Sequence, residues 1–296
     1  MSSSRHFKPW LFILPGVIAG GVILGVPVVQ ALWTSLHRLR LYRLDDQVFV
    51  GLDNYIRLWQ DVLFHLSVQA TVVFTLGCTV LSVVAGLSVA AVMSTRGIRG
   101  TNIARLLMAF YLVPFVATQV VVGMLGRLYV WEPEYGLVNY LLGLVNISGA
   151  SWLISTDTAM WATIVTNSWR LAPLGILIFY AALATIPEEL LESAEVDGAG
   201  GLKAFALIKL PLIKYHIGFV TLIQLTSAFR EFDTVFALTG GGPGRTTNVL
   251  SLLVYNEGIS SANLGMANAI SFTMLIIVAI LSLIYIRMTR LSEMSE

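Results

Sequence analysis

An arginine inside an apolar run is the group in this sequence with the most chemistry to explain. Arg170 closes the segment Asn167-Ser-Trp-Arg170, with Pro173 just beyond it, in the middle of an apolar stretch from Thr158 to Ala184. A guanidinium is not deprotonated in proteins, so it requires an acidic partner, a wet cavity or an anionic ligand. A second apolar stretch, Leu212 to Leu238, carries Thr221, Gln224, Ser227, Ala228 and Glu231 at spacings of three, three, one and three. That spacing puts all five on one helical face. Polar groups in such runs are candidates for a solute path, although Ser, Thr and Gln also serve plain interhelical hydrogen bonding. Ser227 alone reads as packing; Gln224 and Glu231 together read as a path. Glu231 and Asp233 are the acids nearest Arg170 in depth if the two stretches run antiparallel. An Arg170–Glu231 ion pair is therefore expected, with Arg230 left to Asp233 three residues on.

Other constellations fail on inspection. The segment from Thr239 to Thr246, Thr-Gly-Gly-Gly-Pro-Gly-Arg-Thr, imitates a phosphate-binding loop, but position 239 lacks the first glycine and Arg245 stands where the lysine belongs. The four histidines, His6, His37, His65 and His216, fall in loops or near the ends of apolar runs, and no metal set is expected. Cys78 is the single cysteine and forms no intrachain disulfide. No nucleophile, base or metal cluster converges, so no catalytic residue is assigned. A net charge of +1 offers no field for a nucleic acid.

The elements that must position Arg170 and the polar stripe lie in lipid. The chain of 296 residues is 56% hydrophobic and 12% charged, with a mean hydropathy of +0.80, against roughly 45–50% apolar and about 25% charged in soluble domains. About 20 apolar residues span a bilayer as a helix, and six stretches qualify: Trp10–Leu36, Leu66–Met93, Ile103–Val130, Thr158–Ala184, Leu212–Leu238 and Asn263–Met288. The first follows a basic start with Arg5 and Lys8 but is too long for a signal peptide and lacks a clear cleavage site. It reads as an uncleaved helix. Pro15, Pro27, Pro114 and Pro173 fall within spans, where kinks are expected. With both termini inside, cytoplasmic segments hold ten Lys and Arg, Arg5, Lys8, Arg96, Arg99, Arg105, Lys203, Lys209, Lys214, Arg287 and Arg290, against five outside, Arg38, Arg40, Arg43, Arg57 and Arg245. No fixed-period repeat, inverted repeat or long linker is visible. The expectation is one all-α membrane domain over residues 1–296, six transmembrane helices, N-in and C-in.

Between spans four and five runs a cytoplasmic loop, Pro187 to Pro211. Pro187 suits a first helical turn, and Glu188, Glu189 and Glu192 place negative charge at its positive dipole end. Gly198, Gly200 and Gly201 break that helix, and a second stretch, Leu202 to Leu210, is expected to end at Leu210-Pro211. The pattern Glu192-Ser193-Ala194, then Gly198, then Ile208 and Leu210-Pro211 resembles the EAA motif in the membrane subunits of binding-protein-dependent ABC importers, with Ser193 where alanine is usual.

The resemblance implies a type I importer permease in a bacterial or archaeal cytoplasmic membrane, with a coupling helix seated in a cleft on an ATPase. Glu188, Glu189, Glu192, Ser193, Ala194, Asp197, Gly198, Ile208, Leu210 and Pro211 are its implied coupling residues. The segments Phe229 to Thr247 and Gly265-Met-Ala-Asn-Ala-Ile-Ser271 are similar to the carbohydrate-uptake branch, which includes maltose and glycerol-3-phosphate permeases; the likeness covers about residues 66–290. By position it implies solute contacts at Arg170, Leu171, Leu174, Gln224, Ser227, Ala228 and Glu231, just after the Asn167 motif. The implied partners are a second, different permease, two ATPase subunits carrying ATP and Mg, and an extracytoplasmic solute-binding protein. The chain itself is expected to hold no cofactor.

Overall fold

The computed structural model describes the backbone of residues 10–293 and the side chains of residues 13–287. Arg5, His6 and Lys8, and the side chain of Arg290, lie outside the described residues. In chain order the elements are α1 (Trp10–Ser35), β1 (His37–Arg40), β2 (Arg43–Phe49), α2 (Asp53–Gln60), α3 (Val62–Met93), α4 (Asn102–Val116) and α5 (Gln119–Leu125). After α5 come a π-helical turn (Gly126–Val130), α6 (Leu137–Leu144), α7 (Thr156–Ala184), α8 (Glu188–Val196), α9 (Leu202–Ala204), a second π turn (Phe205–Lys209) and α10 (Leu210–Leu212). α11 (Lys214–Phe229), α12 (Asp233–Leu238), α13 (Leu250–Tyr255), a third π turn (Asn256–Ser260) and α14 (Leu264–Glu293) complete the chain. Among the described residues four helices are long and apolar enough to cross a membrane, and up to six if each of two bent pairs is one span.

The chain divides into two compact units. In the unit of residues 1–61 and 253–277, α1 is apolar on every side and leaves Val17, Ile23, Leu24 and Val29 more than half exposed. Side chains of this kind face lipid rather than water. The helix runs unbroken through Pro15 and Pro27. The following segment, expected to be a loop, forms an antiparallel hairpin of β1 and β2, a departure from an all-helical chain. Alternation in Arg38-Leu-Arg-Leu is a strand signal, and Leu39 is buried while Arg38 and Arg40 are exposed. Buried Asn54 on α2 holds the hairpin by donating to the carbonyls of Ser35 and His37 at 2.8 and 3.0 Å.

In the unit of residues 62–252 and 278–296, α3 packs along α7, and α11 lies against both. The close approach depends on small residues. A Cβ at Gly86 would stand 3.2 Å from the Ile176 amide and 3.3 Å from the Ala172 carbonyl, and one at Gly77 would meet Ile164 at 2.7 Å. Phe74, Cys78, Ile164, Ile176 and Phe179 fill the seam with essentially no exposure.

Two expected spans are not single helices. The third breaks into α4 and α5, and the pair that they head is bent by 101°. Ala117 and Thr118 are both extended there. Pro114 contributes by removing one backbone donor from the last turn of α4. The fifth stops at Phe229: Arg230 leaves helical geometry with φ −97° and ψ 2°, and α12 restarts at Asp233.

Replacing Gly86 by leucine should drive α3 away from the α7 backbone and cost about 1–3 kcal/mol of stability, the range for overpacking. Thermal unfolding of the purified protein in detergent reads this directly, and an unchanged midpoint would contradict the close packing.

Candidate functional site

The break after α11 and the break before α5 open one cavity of about 350 Å³, lined by Phe115, Gln119, Arg170, Leu171, Leu174, Ile223, Gln224, Ser227, Arg230 and Glu231. Each helix supplies its wall for a local reason. α7 brings Arg170 and Leu171 on one turn and Leu174 on the next. α11 brings Ile223, Gln224 and Ser227 on one face. The extended Ala117-Thr118 pair turns Phe115 and Gln119 toward the same space.

At its centre Arg170 Nη2 donates to Glu231 Oε2 at 2.7 Å, with the two side chains only 12% and 1% exposed. This is the pairing expected from depth. Glu231 lies beyond the end of α11, so its carboxylate also reaches forward and accepts the Thr234 amide at 3.0 Å. Asn167 Oδ1 accepts from Arg170 Nε and Nη2 at 3.3 and 3.2 Å. Asn167 is fully buried and orients the guanidinium instead of lining the cavity. Ala228 is likewise buried in packing, and Thr221 donates to its own helix at Ile217. Gln224 spans three helices: its carbonyl accepts Ser82 Oγ at 2.6 Å and its amide donates to the Leu171 carbonyl at 3.3 Å. Both ends of that side chain are engaged, so the hydrogen-bonding role weighed for this stripe is present at Gln224.

The expected Arg230–Asp233 pair is absent among the described residues. The helix ends between the two, which removes the i, i+3 geometry, and Arg230 Nε donates instead to the Thr226 carbonyl at 3.1 Å. Gln119, Phe115, Ile223 and Ser82 were not singled out in the sequence. Gln119 could have been, as a lone amide between Val113 and Leu125.

The segment from Pro187 to Leu212 forms a second candidate site. α8 starts after Pro187 and ends in a Schellman cap: the Gly198 amide donates to Glu195 O at 3.1 Å and the Ala199 amide to Ala194 O at 2.8 Å. Gly198 takes φ +78° to close it, a region that costs other residues about 1–2 kcal/mol. The second stretch does not stop at Leu210-Pro211. It runs through a π turn to Leu212 and breaks at Ile213, whose φ is −102° and ψ 12°, before α11 departs at 73°. A proline is tolerated in the first turn of a helical segment, where its missing donor has no partner to lose.

Three of the four glutamates of α8 face their own chain. Arg96 meets Glu192 and Glu195 at 3.3 Å each, Arg99 meets Glu188 at 3.5 Å, and Arg99 also caps the end of α7 at the Ala184 carbonyl. These pairs are largely exposed and each contributes little to stability. Desolvation, followed by Arg99 and Arg96, holds the Lys209 pKa below the ordinary lysine value. Glu189, Ser193, Asp197 and Gly198 are exposed, Ile208 and Leu210 half-buried, Pro211 exposed, and Ala194 buried. Val196, Leu202 and Leu207 stand out at 88%, 85% and 70% exposure, an apolar surface on an otherwise charged segment.

Helices long and apolar enough to cross a membrane, a polar cavity and an exposed apolar surface on the loop after α7 are the features of a membrane transport subunit. The family model described as "Binding-protein-dependent transport system inner membrane component" matches residues 82–294, and the chain belongs to that family of multi-pass inner-membrane permeases, which are not enzymes. It is 31% identical over 281 residues to a trehalose/maltose transport system permease protein of Thermococcus litoralis, covering 95% of this chain and 93% of that one. To an sn-glycerol-3-phosphate transport system permease protein of Shigella flexneri it is 31% identical over 295 residues, with 97% of each covered. A crystal structure of a bacterial ABC transporter involved in import of the acidic polysaccharide alginate shares the fold at a TM-score of 0.80 and 20% identity, over 97% of this chain and 96% of that chain.

Arg170→Met or Glu231→Leu alone should cost about 3–5 kcal/mol, because each leaves a buried charge without its partner. The double variant should recover most of that loss. Thermal unfolding of the four proteins gives the coupling; simple additivity of the two single losses would show that the pair is not a coupled unit.

Proposed function

We propose that the chain is one permease half of an ATP-driven importer for a carbohydrate or related polyol. Its relatives' names support the solute class: a trehalose/maltose permease and a glycerol-3-phosphate permease each align over nearly the whole chain. The observation that carries the reading is the polar cavity at Arg170 and Glu231, on the faces of α7 and α11 where solute contacts were expected by position.

In this reading six spans place both termini in the cytoplasm, and an extracytoplasmic binding protein delivers solute to the outer face. A crystal structure of the alginate transporter with a solute-bound periplasmic protein is a precedent in the same fold. A second, different permease closes the cavity from the other side. Two ATPase subunits hold ATP and Mg, and this chain supplies no cofactor or catalytic group. The loop from Glu188 to Pro211 transmits nucleotide-driven movement by contact. Its apolar knuckle, Val196, Leu202 and Leu207, buries against the ATPase, while Arg96 and Arg99 hold α8 to the ends of α3 and α7. The rigid Schellman cap at Gly198 fixes the knuckle's shape, so that a push on α8 reaches α11 through the break at Ile213. Leu171, Leu174, Gln224 and Ser227 then line a path opened alternately to each side.

Deleting residues 188–201 should abolish co-purification of the ATPase while leaving insertion into the membrane intact. Retention of the ATPase by the deleted protein would remove the coupling assignment.

A further inference from the structure

The cavity holds more positive charge than its own chain neutralises. Both carboxylate oxygens of Glu231 are engaged, one on Arg170 Nη2 and the other on the Thr234 amide. Asn167 takes Arg170 Nε and shares Nη2, which leaves Arg170 Nη1 without a partner among the described residues. Arg230, in the same wall, spends Nε on the Thr226 carbonyl. It makes no ion pair among the described residues, and neither of its Nη groups has a protein partner there. Two guanidiniums against one carboxylate give this cavity wall a net charge of +1. Gln119, Gln224 and Ser227 add no charge.

A guanidinium presents a planar fork that matches carboxylate and phosphate oxygens. Arg230 is exposed in the single chain, and a neutral sugar filling the space in front of it would displace its water and supply no counter-charge. An anionic solute supplies it. The volume of about 350 Å³ lies at the small end of ligand cavities, roughly 300–1,000 Å³. We propose that the solute is a carbohydrate or polyol bearing an anionic group, a carboxylate or a phosphate, bound by the Arg230 fork and by Arg170 Nη1. This specifies the solute class of the importer reading above and rests on it. Glu231 then acts as a positioning residue, holding Arg170 with one donor directed away from the pair.

The test uses the complete importer in proteoliposomes with its binding protein. Labelled glucuronate is compared with glucose and sn-glycerol 3-phosphate with glycerol, and the solute released from the native binding protein and weighed by mass spectrometry serves as a fifth probe. Every probe carried should be an anion, and the matched pairs tell carboxylate from phosphate. R230Q should lower that uptake roughly tenfold or more, the loss of one charge-assisted hydrogen bond, chiefly through KM, and R230K should restore part of it. ATP-driven uptake of a neutral sugar, or uptake unchanged in R230Q, overturns the anionic assignment and leaves the importer standing. Absence of ATP-driven uptake for all five probes overturns both.

Discussion

A guanidinium and a carboxylate 2.7 Å apart and almost wholly buried set the terms for the rest of this molecule. In lipid neither charge is tolerable alone, so the helix carrying Arg170 and the segment carrying Glu231 must meet at one depth. That requirement explains the surroundings of the pair. Asn167 accepts from the guanidinium, the Thr234 amide satisfies the second carboxylate oxygen, and the end of α11 at Phe229 frees the backbone that lets Glu231 reach both. The glycines at 77 and 86 let α3 approach α7 closely.

The two breaks in the helical framework have one consequence. The extended residues at 117–118 and the interruption at 230–232 bring helix ends, an amide and charges to one cavity. Irregular backbone within a membrane protein is tolerated where it borders a cavity, and both breaks adjoin residues that line this one. At the far end of α7 the same economy recurs on a smaller scale, with Arg99 capping the helix and pairing with the loop that follows it.

Much of this was legible in the sequence because lipid makes polar residues conspicuous. Arg170, Glu231 and Gln224 stand out from apolar runs, and their depth follows from counting residues along the helices. The loop was legible through Pro187, the acidic first turn and Gly198, each with a backbone reason for its place. What escaped was set by tertiary structure. Hydropathy runs evenly from Ile103 to Val130 and does not register a 101° bend. Arg230 looked paired to Asp233 only while the helix was assumed to continue. Asn167 shares a polarity signal with cavity residues, yet it is engaged with Arg170 and Cys78 and does not line the cavity, and Gln224 lines the cavity with both ends of its side chain already engaged. The hairpin was hidden because its arginines were read for topology and not for their alternation with leucine.

The central claim is that solute passes along the α11 face that carries Ser227. Ser227→Cys can be labelled with a membrane-impermeant thiosulfonate in the assembled importer, since the native Cys78 is fully buried. The account predicts labelling that depends on nucleotide state and slows when solute-loaded binding protein is added, whereas Phe219→Cys, half exposed on an apolar part of the same helix, stays unlabelled. Equal labelling at both positions, indifferent to solute and nucleotide, would contradict it.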